Sequence, residues 1–304
     1  MRKFSSHRQL LVFGAAVSVT ALLAAGCGSG NNTAASTPSP QQSQAEVSSI
    51  AAQVPASIKA KGTLTVAADA TYAPNEFIAP DGSTVIGMDA DMSKAIGQVL
   101  GLKVTMVNAT FDTIIPGLVS GKYDLGVSSF TDTREREKTV DFVTYFKAGT
   151  SFYVKASSGP AIASLADLCG RKVAVEKGTT QQDDAQAQAV KCRAAGKPAV
   201  TVQVFNDQNA VNLALTSGRA DVAMADSPVA AYQVRLSKGV LKLAGPPYST
   251  EPYGIAIPKN NGMAKPVLAA VQHLIADGTY MRILTRWGVQ SGAISRPAIN
   301  AAVS

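Results

Sequence analysis

The sequence predicts an α/β protein with two related lobes. Helical patterns alternate with strand-like apolar runs, at residues 64–68, 103–107, 125–127 and 173–175. This alternation is typical of parallel sheets flanked by helices. One unit also occurs twice, first at residues 118–127 and again at residues 215–224. Each copy has the pattern of a helix end, a glycine, a short turn and a buried strand, so the two copies predict two similar lobes.

The N-terminal segment predicts export. Three basic residues precede an uncharged stretch, residues 9–26, which ends on small residues directly before Cys27. This pattern resembles bacterial lipoprotein signals. We therefore expect residues 1–26 to be a signal peptide and Cys27 to carry the lipid. The mature protein would then be extracytoplasmic and anchored to the outer face of the cell membrane. An uncleaved spanning helix is the alternative.

Residues 27–58 predict a flexible tether, because most of them are Ser, Thr, Gln, Asn, Ala and Pro. The chain carries 28 Lys and Arg against 21 Asp and Glu. Three of the basic residues fall in the signal peptide, so the mature chain is only mildly basic. Its charges are scattered rather than gathered in a stripe, and we expect no nucleic-acid partner.

The three cysteines predict at most one bridge. With Cys27 assigned to the lipid, Cys169 and Cys192 remain free to pair in an oxidising compartment. Two buried thiols are the alternative. The chain has two histidines, and His7 lies inside the signal peptide, so a zinc site is not favoured. We expect no metal and no cofactor.

The repeated strands also locate a cleft, since ligands of open parallel sheets collect beyond the carboxyl ends of the strands. The first copy continues into residues 128–131 and then Arg136, and the second continues into Asp226. Facing lobes would offer hydroxyl groups and a guanidinium on one side and a carboxylate on the other. Residues 178–181 precede a further helical pattern, and their backbone N–H groups suit an anion.

Such a cleft fits the two charges of an amino acid. Arg136 can hold a carboxylate through two parallel N–H donors, and Asp226 can accept hydrogen bonds from an ammonium group. Each residue also has an ordinary interpretation. Arg136 belongs to a charged run, residues 134–138, which would by default be solvated. Asp226 precedes Ser-Pro and could be a helix N-cap.

Several motifs in order resemble the polar amino-acid-binding proteins of bacterial ABC importers. They extend over residues 60–290 and lie at 87–92, 111–116, 120–124, 135–136, 173–175, 178–180, 219–221 with Asp226, 253–256 and 278–280 ahead of Trp287. The resemblance implies a type II periplasmic-binding fold, in which two crossover strands join two lobes. Lobe 1 would hold residues 59–150 plus 251–304. Lobe 2 would hold residues 151–250, including the Cys169–Cys192 bridge.

The resemblance also implies the ligand-binding residues and the partners. It places the carboxylate on Arg136 and the ammonium on Asp226, with further hydrogen bonds from Ser129, Thr131 and Thr180, and aromatic contacts from Tyr72 and Phe111. The chain departs from the family at Asn75, where an aromatic residue is common. We expect a monomer that delivers its amino acid to the membrane subunits of an ABC permease after hinge closure.

Charge predicts which amino acid is bound. Asp69 ends the first strand and Glu176 ends the strand before Gly178, so both can face the ligand side chain. Together with Asp226 they would give the site three negative charges against the single positive charge of Arg136. This imbalance favours a basic amino acid such as arginine, lysine, ornithine or histidine. A glutamine-type ligand is the alternative, because Asp69 can accept from an amide and Glu176 can pair with Lys177 or face solvent.

Two other functions use the same fold. A dehydratase of the cyclohexadienyl type would need a general acid in the cleft, and Glu176 is the candidate. A sensor module would pass its closed shape to a signalling partner. The pairing of Arg136 with Asp226 suits an ammonium as well as a carboxylate, and no nucleophile has an adjacent base. We therefore expect a binding protein rather than an enzyme.

Overall fold

The computed structural model describes residues 47–304. The predicted signal peptide, the lipidation site Cys27 and the first part of the predicted tether lie outside the described residues. Within the described residues, each helix is too short or too polar to cross a membrane.

Most strands belong to one mixed sheet. They are β1 (Thr63–Ala68), β5 (Lys103–Asn108), β6 (Leu125–Gly126), β7 (Val140–Lys155), β8 (Lys172–Glu176), β9 (Thr201–Phe205), β10 (Val222–Asp226) and β11 (Leu241–Pro258). This eight-stranded sheet has the order β5-β1-β6-β11-β7-β10-β8-β9. A three-stranded sheet contains β2 (Thr71–Tyr72), β3 (Glu76–Ile78) and β4 (Val85–Ile86).

Helices connect and cover the strands, as expected for an α/β protein. They are α1 (Ala56–Lys61), α2 (Met88–Val99), α3 (Phe111–Val119), α4 (Arg134–Glu137), α5 (Thr180–Ala194), α6 (Gln208–Thr216), α7 (Ser227–Leu236), α8 (Ala264–Ala276) and α9 (Thr279–Trp287). Short 3-10 turns occupy Leu165–Leu168 and Gln290–Gly292.

Two groups of parallel strands define two lobes. In the first lobe, β1 pairs in parallel with β5 and β6. In the second lobe, β8 pairs in parallel with β9 and β10. The long antiparallel strands β7 and β11 run between them, and their register shifts on both sides of the Tyr248–Thr150 pair. The lobe boundaries predicted from the sequence fall inside these two strands.

The structure confirms the repeated unit. In the first copy, α3 ends before Gly121 (φ 75°) and β6 follows. In the second, α6 ends before Gly218 (φ 80°) and β10 follows. Even the aspartates correspond: Asp124 Oδ2 accepts the Thr65 N–H at 2.6 Å, and Asp221 Oδ2 accepts the Lys172 N–H at 2.9 Å. Each aspartate therefore fixes its turn to the neighbouring parallel strand.

Each lobe has its own apolar core, and a third core joins them. One cluster includes Leu64, Met88, Ile96 and Leu284. A second includes Phe152, Leu168, Val175 and Met224, and beside it Cys169 is disulfide-bonded to Cys192, as predicted. The third contains Phe111 and Phe130 from the first lobe together with Ala174 and Val211 from the second. The two lobes thus pack against each other.

The ordered fold begins earlier than the predicted end of the tether at residue 58. Residues 47–52 are helical, Val54 is buried in the first core, and Ile50 and Ile58 pack against it. Ile50 lies on the first helical segment, Val54 in the break before Pro55 and Ile58 on α1, so all three contact the same core from successive pieces of the chain. The polar composition around them concealed these contacts.

Candidate functional site

A small cavity lies between the lobes, beyond the carboxyl ends of β6 and β10. Its walls include most of the predicted ligand-binding residues: Tyr72, Phe111, Ser129, Thr131, Arg136, Thr180 and Asp226. Asp69 and Glu176 do not line it. The cavity has a volume of about 20 Å³, enough for roughly one water molecule. The space directly between Tyr72, Phe111 and Asp226 is therefore too small for an amino acid unless the surrounding side chains move.

Arg136 points into the cleft. It lies on the short helix α4, where the Thr133 hydroxyl caps the turn by accepting the Arg136 N–H. Its Nη1 donates to the Thr131 carbonyl at 2.8 Å, and its Nη2 donates across the cleft to the Gly178 carbonyl at 3.0 Å. The guanidinium also stacks 5.2 Å from the Phe111 ring centroid. Arg136 is therefore held by neutral acceptors and an aromatic ring, not by the acids of its charged run.

Asp226 lies on the opposite wall, at the end of β10. It occupies the N-cap position of α7, but its side chain makes no capping hydrogen bond. Instead Oδ1 accepts from Gln181 Nε2 at 2.7 Å and Oδ2 accepts from the Tyr253 hydroxyl at 2.5 Å. Burial raises the pKa of Asp226 to about 6, although Tyr253, Gln181 and Arg136 favour the ionised form.

The hydroxyl-bearing residues differ in what they can offer. Thr131 and Thr180 line the cavity. Ser129 also lines it, but its backbone N–H donates to Asp89 Oδ2 at 2.8 Å, away from the cavity. The Gly178 N–H, expected to meet an anion, donates instead to Gln182 Oε1 at 2.9 Å. Local helix capping at the start of α5 uses this donor, so the motif offers fewer free N–H groups than the sequence suggested.

The two predicted aromatic residues touch each other. The ring centroids of Tyr72 and Phe111 are 5.8 Å apart at an interplanar angle of 59°, and Phe111 stacks on Phe130 at 4.5 Å. These distances are those of direct aromatic contact. A ligand side chain can lie between Tyr72 and Phe111 only if the rings move apart.

Asp69 and Glu176 form a buried acidic pair beside these rings, and each is 1% exposed. Asp69 accepts from the Thr71 hydroxyl at 2.7 Å and from the Phe111 N–H at 3.0 Å. In contrast, no hydrogen bond of good geometry reaches either buried carboxyl oxygen of Glu176, although Tyr72 and Asp69 lie close enough to affect its pKa. Burial, followed by the charge of Asp69, raises the pKa of Glu176 to about 10. Glu176 therefore carries a proton at neutral pH in this state.

Lys177 does not neutralise Glu176. Its Nζ pairs with Asp112 Oδ2 at 2.8 Å, and this contact joins the second lobe to the first. Neither alternative for Glu176 is adopted, because its side chain neither pairs with Lys177 nor faces solvent.

A larger cavity of about 420 Å³ adjoins the first and shares Thr131, Arg136, Thr180 and Asp226 with it. We call it the vestibule. Its remaining charged side chains are acidic: Glu135, Asp183, Asp184 and Glu251. The approach to the site therefore carries a net negative charge.

Other residues also line the cavity: Thr179, Gln181, Gln208, Ala225 and Val229. Thr179 and Gln181 belong to residues 178–181, which were expected to meet an anion. Gln208 and Val229 were not predicted from the sequence. Gln208 lies at the start of α6, and its N–H donates to Thr71 Oγ1 at 3.2 Å across the cleft. No sequence pattern indicates that contact.

Comparison with known proteins identifies the family. The family described as bacterial extracellular solute-binding proteins, family 3, matches residues 64–290. The chain is 34% identical over 255 residues to the arginine-binding protein ArgT of Corynebacterium glutamicum, covering 84% of this chain and 83% of that protein. It is 33% identical over 214 residues to the ABC transporter glutamine-binding protein GlnH of Bacillus subtilis, covering 68% and 74%.

A solved structure agrees with these sequence relatives. An ancestral arginine-binding protein bound to arginine has a TM-score of 0.68 at 38% identity, covering 74% of this chain and 98% of that one. The findings confirm the type II two-lobed α/β fold and the resemblance to the polar amino-acid-binding proteins of ABC importers. The chain therefore belongs to the bacterial extracellular solute-binding proteins of family 3.

Proposed function

We propose that this protein captures a basic L-amino acid between its lobes and delivers it to an ABC permease. The observation that carries the proposal is the buried Glu176, whose two carboxyl oxygens have no hydrogen-bond partner. An unpaired carboxyl group in an apolar site is costly, and a cationic ligand side chain would supply the missing donors. Arginine, lysine, ornithine and histidine are the candidates.

The backbone of the ligand would be held at its two charged ends. Arg136 would bind the α-carboxylate after giving up its contact with Gly178, and Asp226 would accept hydrogen bonds from the α-ammonium. Thr131 and Thr180 would complete these contacts, together with the backbone carbonyl of Ser129. Both charges must be met together, because burying either one alone carries a large desolvation cost.

The side chain of the ligand would separate Tyr72 from Phe111 and extend toward Asp69 and Glu176. The aromatic faces attract a cation, while the two acids accept its N–H groups. A neutral glutamine side chain would leave the acidic pair without a counter-charge. An acidic side chain would add a negative charge beside Asp69 and Glu176 and would be rejected.

Closure of the cleft would couple binding to delivery. The ligand would contact both lobes and would stabilise the closed form by its difference in affinity for the two forms. The acidic vestibule supports a cationic ligand, since a negative potential attracts cations to the entrance. The signal peptide, the lipid on Cys27, the lobe boundaries and the monomeric state remain predictions from the sequence.

Calorimetry against a panel of amino acids tests the proposal. Arginine or lysine should bind at least about tenfold more tightly than glutamine, which corresponds to about 1.4 kcal/mol. Arg136→Lys and Asp226→Asn should each weaken arginine binding by about a hundredfold or more. The first loses the two parallel N–H donors to the carboxylate, and the second leaves the buried ammonium without a charged partner. Asp81→Asn, at an exposed position outside both cavities, is the matched control. Tighter binding of glutamine or glutamate than of arginine would overturn the proposal.

One observation favours a dehydratase as the second candidate. Glu176 is buried with a pKa of about 10, and a general acid must retain its proton in this way. The relatives reported above carry the names of binding proteins. An assay of prephenate-like cyclic carboxylic acids separates the two functions. Turnover that Glu176→Gln abolishes would support the enzyme, and its absence would support the binding protein.

A further inference from the structure

A second buried acidic pair lies behind the cavity. Glu76 on β3 and Asp89 in the first turn of α2 are both 0% exposed, and neither lines the cavity. Ser129 stands between this pair and the ligand site, because it lines the cavity and also contacts both acids. Ser129 is therefore a direct hydrogen-bonded link between the pair and the site.

The hydrogen bonds of Asp89 are those of an ionised carboxylate. The Tyr145 hydroxyl donates to Oδ1 at 2.7 Å, and the Ser129 N–H donates to Oδ2 at 2.8 Å. Ser129 Oγ lies a further 3.2 Å from the same Oδ2. Burial raises the pKa of Asp89 above its usual value, and these donors oppose that effect by stabilising the charged form.

The hydrogen-bond count requires a proton on Glu76. Ser129 Oγ accepts from Asn75 Nδ2 at 2.9 Å and lies 3.2 Å from both Glu76 Oε2 and Asp89 Oδ2. A hydroxyl group has one hydrogen and two lone pairs. If Glu76 keeps its proton, Oε2 donates to Ser129 Oγ while Ser129 donates to Asp89, and only Glu76 Oε1 is left without a partner. If Glu76 ionises, the two carboxylates compete for the hydrogen of Ser129 Oγ.

The surroundings favour the protonated form. Burial first, and then the charge of Asp89, raises the pKa of Glu76 well above its usual value. Asp69 at the end of β1 adds a further negative charge. Other titratable groups that face the pair are phenols: Tyr72 on β2, Tyr145 on β7 and Tyr253 on β11.

Ser129 needs this support because its backbone is strained. Its φ of 50° lies in the left-handed region, which non-glycine residues seldom adopt. The turn leads directly to Thr131, whose carbonyl accepts the Arg136 guanidinium. A change in the Ser129 turn would therefore shift the arginine that faces the ligand.

We propose that Glu76 is a positioning residue that acts in its protonated form, holding Ser129 in its left-handed turn and so placing Thr131 and Arg136. Ionisation of Glu76 at alkaline pH would leave two negative charges against one hydroxyl and would loosen the turn. The inference goes beyond the proposed function and does not depend on which amino acid is bound.

The test compares the wild type with Glu76→Gln between pH 5 and pH 9. Glutamine has the shape of the protonated acid and keeps a donor for Ser129 Oγ. Because the pKa of Glu76 is raised on folding, its stabilisation is complete below the unfolded pKa and is lost as pH rises. The melting temperature of ligand-free E76Q should match the wild type at pH 5 within about 2 °C and exceed it by about 4 °C or more at pH 9.

Binding supplies a second readout. The ratio of the arginine dissociation constants, wild type over E76Q, should be near one at pH 6 and rise to about threefold or more at pH 9. The pH dependence from Glu176 is shared by both proteins and cancels in this ratio. The control Asp81→Asn, at an exposed site, should show a melting-temperature difference that is the same from pH 5 to pH 9, because hydrogen bonds from Thr84 and Ser83 lower the pKa of Asp81 to about 2.

A melting-temperature difference between E76Q and the wild type that stays constant with pH would overturn the proposal. A smaller difference at pH 9 than at pH 5 would overturn it as well. If E76Q fails to fold, the variant Asp89→Asn tests the proposal instead. Removing the Asp89 charge lets Glu76 ionise more easily, so stability should depend less on pH in this variant than in the wild type. An unchanged dependence would contradict the role of the pair. Failure of arginine to bind would affect the proposed function and leave the ligand-free melting test intact.

Discussion

The two buried acidic pairs of this protein differ in how their hydrogen bonds are satisfied. In each pair one acid is well bonded: Asp89 receives donors from Tyr145 and Ser129, and Asp69 receives donors from Thr71 and Phe111. The other acids differ, because Glu76 has one oxygen bonded to Ser129 and one without a partner, whereas both oxygens of Glu176 lack a hydrogen bond. Folded proteins satisfy nearly all buried polar groups, because an unmet one destabilises the fold. The comparison therefore separates a pair that supports the structure from a pair that awaits a ligand.

The largest expected effect is on the unsatisfied pair. Glu176→Gln keeps the size of the side chain but removes the charge that would meet a cation. Arginine binding should weaken by about a hundredfold, within the roughly 2–5 kcal/mol expected for truncating a buried charge pair. Glutamine binding should change by less than about threefold. Calorimetry measures both, and an equal loss for the two ligands would remove the distinction between the pairs.

In the Glu76–Asp89 pair, the substitution Asp89→Asn should mainly reduce stability, whereas Glu176→Gln should mainly reduce arginine binding. The new amide would point a donor at the Ser129 N–H or leave the Tyr145 hydroxyl without its acceptor. The free energy of unfolding should fall by about 2–4 kcal/mol, since a buried donor loses its partner. Urea denaturation measures this loss. Glu176→Gln, under the same conditions at pH 7, should leave stability unchanged or raise it.

The vestibule extends the comparison to charges outside the buried region. Asp183→Asn should slow arginine association by about two- to threefold at low salt, because steering by a charged entrance falls with ionic strength. Glutamine association should not change. Stopped-flow fluorescence follows both rates, and an equal slowing of the two ligands would argue against electrostatic steering.

The smallest effect should come from the exposed pair that crosses the cleft. Lys177→Met breaks the contact with Asp112. The Lys177 side chain is 56% exposed. Such pairs contribute about 1 kcal/mol or less. Arginine and glutamine should both bind within about fivefold of the wild type, as measured by calorimetry. A loss of affinity for arginine alone would mean that the charge of Lys177 affects the state of Glu176.

The sequence predicted the fold and the opposed charges of the site for a physical reason. Alternating patterns and a repeated unit report local structure, and strand ends converge at one sheet edge, so Arg136 and Asp226 were brought to one cavity as expected. The sequence could not predict whether Glu176 has a hydrogen-bond partner, because Lys177 could equally pair with Glu176 or with Asp112. Nor could it predict that Asn75 is fully buried and donates to Ser129, since that contact depends on tertiary packing.

The most direct test of the central claim is the number of protons released on binding at pH 8. Calorimetry in buffers of different ionisation enthalpy gives this number. Glu176, with a pKa of about 10, is protonated at this pH, while Asp226, with a pKa of about 6, is already ionised. Binding a cation beside Glu176 must expel its proton, so affinity for arginine should rise with pH, by up to about tenfold per unit.

We expect arginine binding to release about one proton and glutamine binding to release close to none. Tight arginine binding without proton release would contradict the account, because Glu176 would then not be the group that meets the side chain.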